Sequence, residues 1–131
     1  MKKYLIIFLF SFCPLLVFSQ EILNEENVYA LSQLDSNPKF EVDKSIFKYV
    51  HLNYKRPEET INLRGNVIVK FIIEKDGSLS NFIIVKDLSF GTGEELIRVL
   101  KQTGKWNPGV KDKAPVRTSF TFSYILRVNN I

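Results

Sequence analysis

Cysteine is almost absent from the sequence, and that absence is the first constraint. The single one, Cys13, lies in the apolar stretch that opens the chain, where the bulky Phe12 before it does not fit a lipid-attachment motif. A disulfide within the chain is thereby excluded, and a domain made outside the cytoplasm must rest on core packing. Histidine is equally scarce. His51 has no second His or Cys to share a metal and reads as an ordinary residue near a helix end. No basic run is interleaved with aromatics, so the usual signature of nucleic-acid binding is missing. There is no internal repeat and no low-complexity tract, and no apolar run reaches the ~20 residues of a membrane-crossing helix.

What the opening residues do contain is a leader. "MKK" is a positive start and "YLIIFLFSFCPLLVF" an apolar run of roughly 15 residues interrupted by Pro14; "VFS" then places Val17 and Ser19 at the −3 and −1 positions of a cleavage site. Residues 1–19 are expected to be a cleaved secretory signal peptide, the alternative being an uncleaved inner-membrane anchor. Cutting after Ser19 leaves 112 residues, enough for one small domain. The formal charge of +4 includes Lys2 and Lys3, so the mature part is near +2 and selects no class of partner. Residues 20–37 begin acidic and then alternate weakly in "VYALSQL", which makes them a candidate added strand. Residues 38–131 carry the sharper signals of the domain.

From Pro38 onward, Asp43 is a candidate N-cap, and Ile46, Phe47, Val50 and His51 recur at helical spacing. Pro57 in "NYKRPEE" closes that helix. "GNVIVKFIIEKDGSLSNFIIVKD" reads as a hairpin around Asp76 and Gly77. A two-residue loop pairs Lys75 with Ser78, Phe71 with Phe82 and Val69 with Ile84, leaving Ile68, Ile72, Ile83 and Val85 on the other face. A bulged turn shifts this by one residue and swaps the second strand's faces.

"SFGTGEELIRVLKQTGKW" predicts a helix capped at Thr92 or Gly93, with Glu94 and Glu95 in its first turn and Gly104 as its stop. Leu96, Val99, Leu100 and Thr103 form its stripe. "KWNPG" is a turn carrying the only tryptophan, Trp106, which reads more readily as a core plug than as a ligand platform. In "PVRTSFTFSYILRV", Val116, Phe120, Phe122, Tyr124, Leu126 and Val128 alternate with Arg117, Ser119, Thr121, Ser123 and Arg127, Ile125 being the exception. The order helix, strand, strand, helix, strand predicts an α+β two-layer sandwich, a three-stranded antiparallel sheet with two helices on one face and a fourth N-terminal strand as an option.

Chemistry is hard to find in these residues. Glu58 and Glu59 are adjacent and read as solvated charges. Ser78, Ser80 and Ser89 lack a base or a nucleophile motif. "GTGEE" has no Walker lysine. No enzyme, cofactor, metal or small-molecule substrate is expected.

The ordered set "GNVIVKFIIEKDGSLSNFIIVKD", "EELIRVLKQTGKWNPG" and "APVRTSFTFSYIL" resembles the C-terminal domain of TonB, the periplasmic energy transducer of Gram-negative bacteria, in the version common in Bacteroidetes-type bacteria. The resemblance covers about Pro38 to Val128. It implies a three-stranded sheet with two helices, no catalysis, and a grip on outer-membrane transporters through a peptide added beside the last strand. Carried onto this sequence, the docking strand is Val116 to Arg127, with Val116, Arg117, Ser119, Thr121, Ser123, Ile125 and Arg127 as partner-binding residues. The Tyr-Pro usual before the first strand is here "YKRP", with Tyr54 and Pro57 apart. The family's transducer also has a membrane-spanning start and a long linker. Here about 20 residues separate leader and domain, at most ~70 Å when extended.

The expected function is therefore that of a periplasmic protein-interaction module working by β-strand addition. Its expected partner is a protein, in the first place a TonB-dependent outer-membrane receptor. The alternatives are an anchored energy transducer and a homodimeric assembly protein of the envelope. "VYALSQL" either leaves the last strand's edge open or fills it. Ile68, Ile72, Ile83 and Val85, with Ile125, are expected to form an apolar strip on the face away from the helices, covered by the N-terminal segment, a second copy or a partner.

Overall fold

In the computed structural model, residues 27–40 and 45–128 are described. The first 26 residues, which include the expected signal peptide, and the expected cap Asp43 lie outside them. The described residues form five strands: β1 (Val28–Tyr29), β2 (Gly65–Ile73), β3 (Leu79–Lys86), β4 (Gly109–Lys111) and β5 (Ala114–Leu126). Two helices, α1 (Ile46–Asn53) and α2 (Thr92–Lys101), complete the α+β sandwich.

The sheet departs from the expected three antiparallel strands. Its order is β1-β5-β2-β3, with β4 paired to β5 off this path, and β1 runs parallel to β5. β4 arises because Asp112 and Lys113 both take left-handed conformations (φ 50° and 64°) and fold "GVK" back onto Ala114–Val116. A tight hairpin of this kind normally advertises itself with glycine, so its sequence signal was weak. β5 ends at Leu126, which leaves Arg127 and Val128 beyond it and exposed.

The β2–β3 turn is also longer than the Asp-Gly pair predicted. Glu74 N–H donates to Ser78 O (2.8 Å) and Gly77 N–H to Glu74 O (2.9 Å), so the loop has three residues, Lys75 to Gly77. Gly77 sits at φ +84°, and a Cβ there would lie 1.9 Å from the carbonyl oxygen of Trp106. The one-residue shift made by the turn is then undone. Ile72 faces Ser80 but Lys70 faces Ile83, so an extra residue enters β3 near Asn81, whose φ is 51°. That bulge returns Phe82 and Ile84 to the helix side and confines the face swap to the residues beside the turn. A further shift separates Val69↔Ile84 from Ile68↔Lys86.

The core lies between the helices and one face of the sheet. Val67, Val69, Phe71 and Ile73 of β2 are fully buried against Val50 of α1, Leu96, Val99 and Leu100 of α2, and Phe122 and Leu126 of β5. α2 is the better amphipath, with Glu94 and Glu95 at its positive end and Arg98 and Lys101 at its negative end. It approaches β3 closely at Gly93, where a Cβ would lie 2.8 Å from Ile84 Cδ1. α1 begins at Ser45, whose Oγ accepts from Lys48 N–H at 3.3 Å, and buries only Val50. Trp106 closes the core among Phe40, Phe71 and Phe120, and its Nε1–H donates to Thr103 Oγ1 at 2.9 Å. No helix among the described residues is long and apolar enough to cross a membrane.

Candidate functional site: the outer margin of the last strand

One side of β5 is fully engaged by β2 over nine consecutive pairs, from Thr118↔Ile73 to Leu126↔Gly65. On the other side β1 pairs with β5 at two positions, Val28 opposite Arg117 and Tyr29 opposite Thr118. The chain then leaves the margin. Gln33 Oε1 accepts from Ala30 N–H at 2.9 Å and Gln33 N–H donates to Ala30 O at 3.0 Å, closing a short turn over Leu31–Gln33.

That turn carries the chain to β4 instead. Asp35 and Ser36 N–H donate to Val110 O (2.9 and 3.1 Å), and Lys39 and Asn107 exchange backbone hydrogen bonds at 3.0 and 2.8 Å. "VYALSQL" thus does part of each thing the sequence allowed: it fills two positions and quits the rest. From Ser119 to Leu126 the outer margin has no strand partner among the described residues. At about 3.3 Å per residue, that is roughly 26 Å of backbone.

The candidate residues divide accordingly. Val116 is paired with Gly109. Arg117 is opposite Val28, and its guanidinium holds Glu74 (Nε–Oε2 2.7 Å, Nη2–Oε1 3.1 Å). This hydrogen bond keeps the Glu74 carboxyl below its ordinary range, with help from the Ser80 hydroxyl and against a smaller opposing effect of burial. Those two positions therefore belong to the closed end of the strand. Ser119, Thr121, Ser123 and Ile125 border the open stretch and project away from the helices, in rows with Ile72, Lys70, Ile68 and Asn66 of β2. Arg127 follows the strand, and its carbonyl accepts from Arg56 Nη1–H.

The expected apolar strip is interrupted on that same face. Lys70 stands between Ile68 and Ile72 and opposite Ile83, while Ile72 lies between Ser80 and Ser119. Ile83, Val85 and Ile125 are 57%, 58% and 50% exposed. The described N-terminal residues run along the margin and β4, pairing with strand edges.

On the helix side of the open margin, α1 and β5 border a groove of about 580 Å³. At one end Phe47, 62% exposed, leans on Phe122 with ring centroids 5.0 Å apart. At the other end Tyr54 packs at a tilt against Tyr124 (ring centroids 4.7 Å apart) and donates its hydroxyl to Thr92 O at 3.0 Å. Burial, reinforced by Glu95, pushes the Tyr54 hydroxyl well above its usual pKa; burial also raises that of Tyr124. Tyr124 Oη lies 3.4 Å from His51 Nδ1.

Arg56 anchors this end. It donates to Thr60 O, to Leu63 O (2.7 Å), to Thr60 Oγ1 (3.3 Å) and to Arg127 O, tying the turn before β2 to the end of β5. Arg56 and Phe47 had no distinguishing mark in the sequence. A guanidinium that serves carbonyls leaves no paired residue type to notice, and Phe47 fitted the apolar stripe of its helix. "YKRP" nonetheless has a role for each outer member: Tyr54 packs on β5 and Pro57 opens the short turn Glu58–Thr60.

Residues 50–126 match the family model described as Gram-negative bacterial TonB protein C-terminal. No curated protein matches significantly in sequence. Among solved structures, a fragment of the Helicobacter pylori TonB C-terminal domain is similar at 16% identity and a TM-score of 0.50, over 66% of this chain and 92% of that one. A longer fragment of the same domain aligns at 19% identity and a TM-score of 0.41, over 61% and 76%.

Proposed function

The chain belongs to the TonB C-terminal family, and from that premise we propose that it is a non-enzymatic periplasmic interaction module that captures a protein partner by β-strand addition. The observation that supports this is the unpartnered outer margin of β5 from Ser119 to Leu126 among the described residues. An exposed row of N–H and C=O groups is a template for another strand. Each added backbone hydrogen bond contributes a net ~0.5–1.5 kcal/mol, so a handful gives a grip that holds and releases.

The partner in this reading is a TonB-dependent receptor of the outer membrane, and the leader is removed after Ser19. The backbone does the binding, and Ser119, Thr121, Ser123 and Ile125 flank it. A photo-crosslinking residue at Ser123, introduced in living cells, tests the site. Adducts to an outer-membrane receptor are expected there and not from the same probe at Asn81 on the opposite margin. Adducts from Asn81 alone, or to no envelope protein, would sink the reading. Mass measurement of the mature protein bears on the leader separately: a start at Gln20 is expected, and an intact Met1 selects the anchored transducer instead.

A further inference from the structure

We propose that the groove between α1 and β5 is selective, favouring strands that place an acidic side chain at its arginine end. This deepens the strand-addition reading and rests on it. A strand laid along Ser119–Leu126 points every second side chain to the helix side, where the groove lies open. Its two ends differ in chemistry. The Phe47 end offers aromatic surface and the far end carries His51, Arg56 and Arg127. A neighbouring hollow of about 600 Å³ adds Arg64 beside Arg127.

Among the described residues no carboxylate lines either space. Among the described residues none of Arg56, Arg64 and Arg127 forms an ion pair; the arginines that do are Arg98, with Glu95, and Arg117, with Glu74. The hydrogen bonds of Arg56 all go to uncharged oxygens, which satisfy its geometry and leave its charge unmatched. Glu95 and Asp87 act on Tyr54 without lining the groove. Glu58 and Glu59 are exposed on the adjoining turn. A partly dehydrated site with unmatched positive charge favours an anion, and a guanidinium favours a carboxylate in particular. Because the adjacent backbone margin accepts a strand, the occupant assigned here is an extended peptide, apolar where it passes Phe47 and acidic where it reaches Arg56 and Arg127.

The test uses the full chain, isotope-labelled, and two terminally capped octapeptides that alternate valine with serine. One has aspartate in place of its last valine, and the other has asparagine. Both are expected to shift the amides of Ser119–Leu126. The aspartate peptide should bind about 10-fold more tightly at low salt, an advantage that shrinks at ~0.5 M salt and falls markedly in Arg127→Gln, which changes an exposed side chain. Equal affinities with the margin still perturbed would overturn the selectivity and leave strand addition standing. No perturbation by either peptide would remove strand addition and the selectivity with it. An aspartate advantage unchanged in both Arg127→Gln and Arg56→Gln would place the acid elsewhere and refute the assignment.

Discussion

Along β3 the sheet's margin slips register twice and bends at a left-handed Asn81; along β5 it runs nine pairs without a break. Bulges twist a strand and spoil the even row of donors and acceptors that a visiting backbone needs. β3 is thus a blunted margin that ends in exposed Lys86. β5 is smooth and is capped by β1 only at Arg117 and Thr118. Two margins of one sheet, exposed to the same solvent, have been given different backbones. Only the β5 margin keeps an even backbone row.

The largest expected effect is at the turn that sets the β3 margin in place. Gly77→Val puts a branched side chain at φ +84° and drives its Cβ into the Trp106 carbonyl. It also threatens the hydrogen bond from Trp106 N–H to Gly77 O (2.8 Å) that ties this turn to the segment after α2. A loss of about 3 kcal/mol or more is expected in chemical denaturation. A midpoint within error of the wild type would mean that the turn does not anchor β3.

The second effect tests the far end of the β5 margin. Arg56→Met removes the donors that join Thr60, Leu63 and Arg127. With carbonyls losing a charged partner, about 2 kcal/mol should be lost. Hydrogen exchange should quicken around Leu63 and Arg127 but not around Asn81. Equal quickening at both margins would show a general loosening rather than a clamp on β5.

How much of this contrast was legible in the sequence follows from the range of each interaction. The α2 stripe of Leu96, Val99, Leu100 and Thr103 is local and periodic, and all four are buried. The alternation from Val116 to Leu126 likewise marked the last strand. The turn at Asp76–Gly77 was legible as a turn, but its length was not. A three-residue loop and a two-residue loop suit the same residues, and Asn81 corrects the register afterwards. The cap passed to Ser45, while Asp43 lies outside the described residues. Where β1 stops pairing with β5 was beyond reach, because that depends on a two-residue contact between segments about ninety positions apart and on a turn at Ala30 that ends it. Weak alternation in "VYALSQL" could not say where pairing would stop.

A smaller effect lies at the closed end of β5. Because Arg117 depresses the Glu74 carboxyl in the folded state, the pair contributes stability above the ordinary carboxylate pKa, and that contribution is lost as pH falls through the depressed folded value. Glu74→Gln should therefore cost about 0.5–1 kcal/mol at neutral pH. The difference between the two proteins should close in acid. Asp76 and Glu95 are depressed as well, so the comparison must be made as a difference between variant and parent across pH. A gap that stays constant with pH would assign the cost to packing instead of charge.

The smallest effect is the one that bears most directly on where the open margin begins. Tyr29 is one of the two β1 residues that pair with β5, and its ring lies 5.7 Å from Lys111 Nζ. Tyr29→Ala weakens that cap but leaves the Ser36–Val110 and Lys39–Asn107 pairings to hold the rest of the segment. Stability should drop by about 0.5 kcal/mol. Amide exchange should rise next to Arg117 and Thr118 and stay unchanged along β3. If strand addition uses this margin, a peptide added there should then extend its footprint from Ser119 towards Arg117. An unchanged footprint would mean that the limit is set by the twist of β5 itself, not by the chain's own two-residue cap.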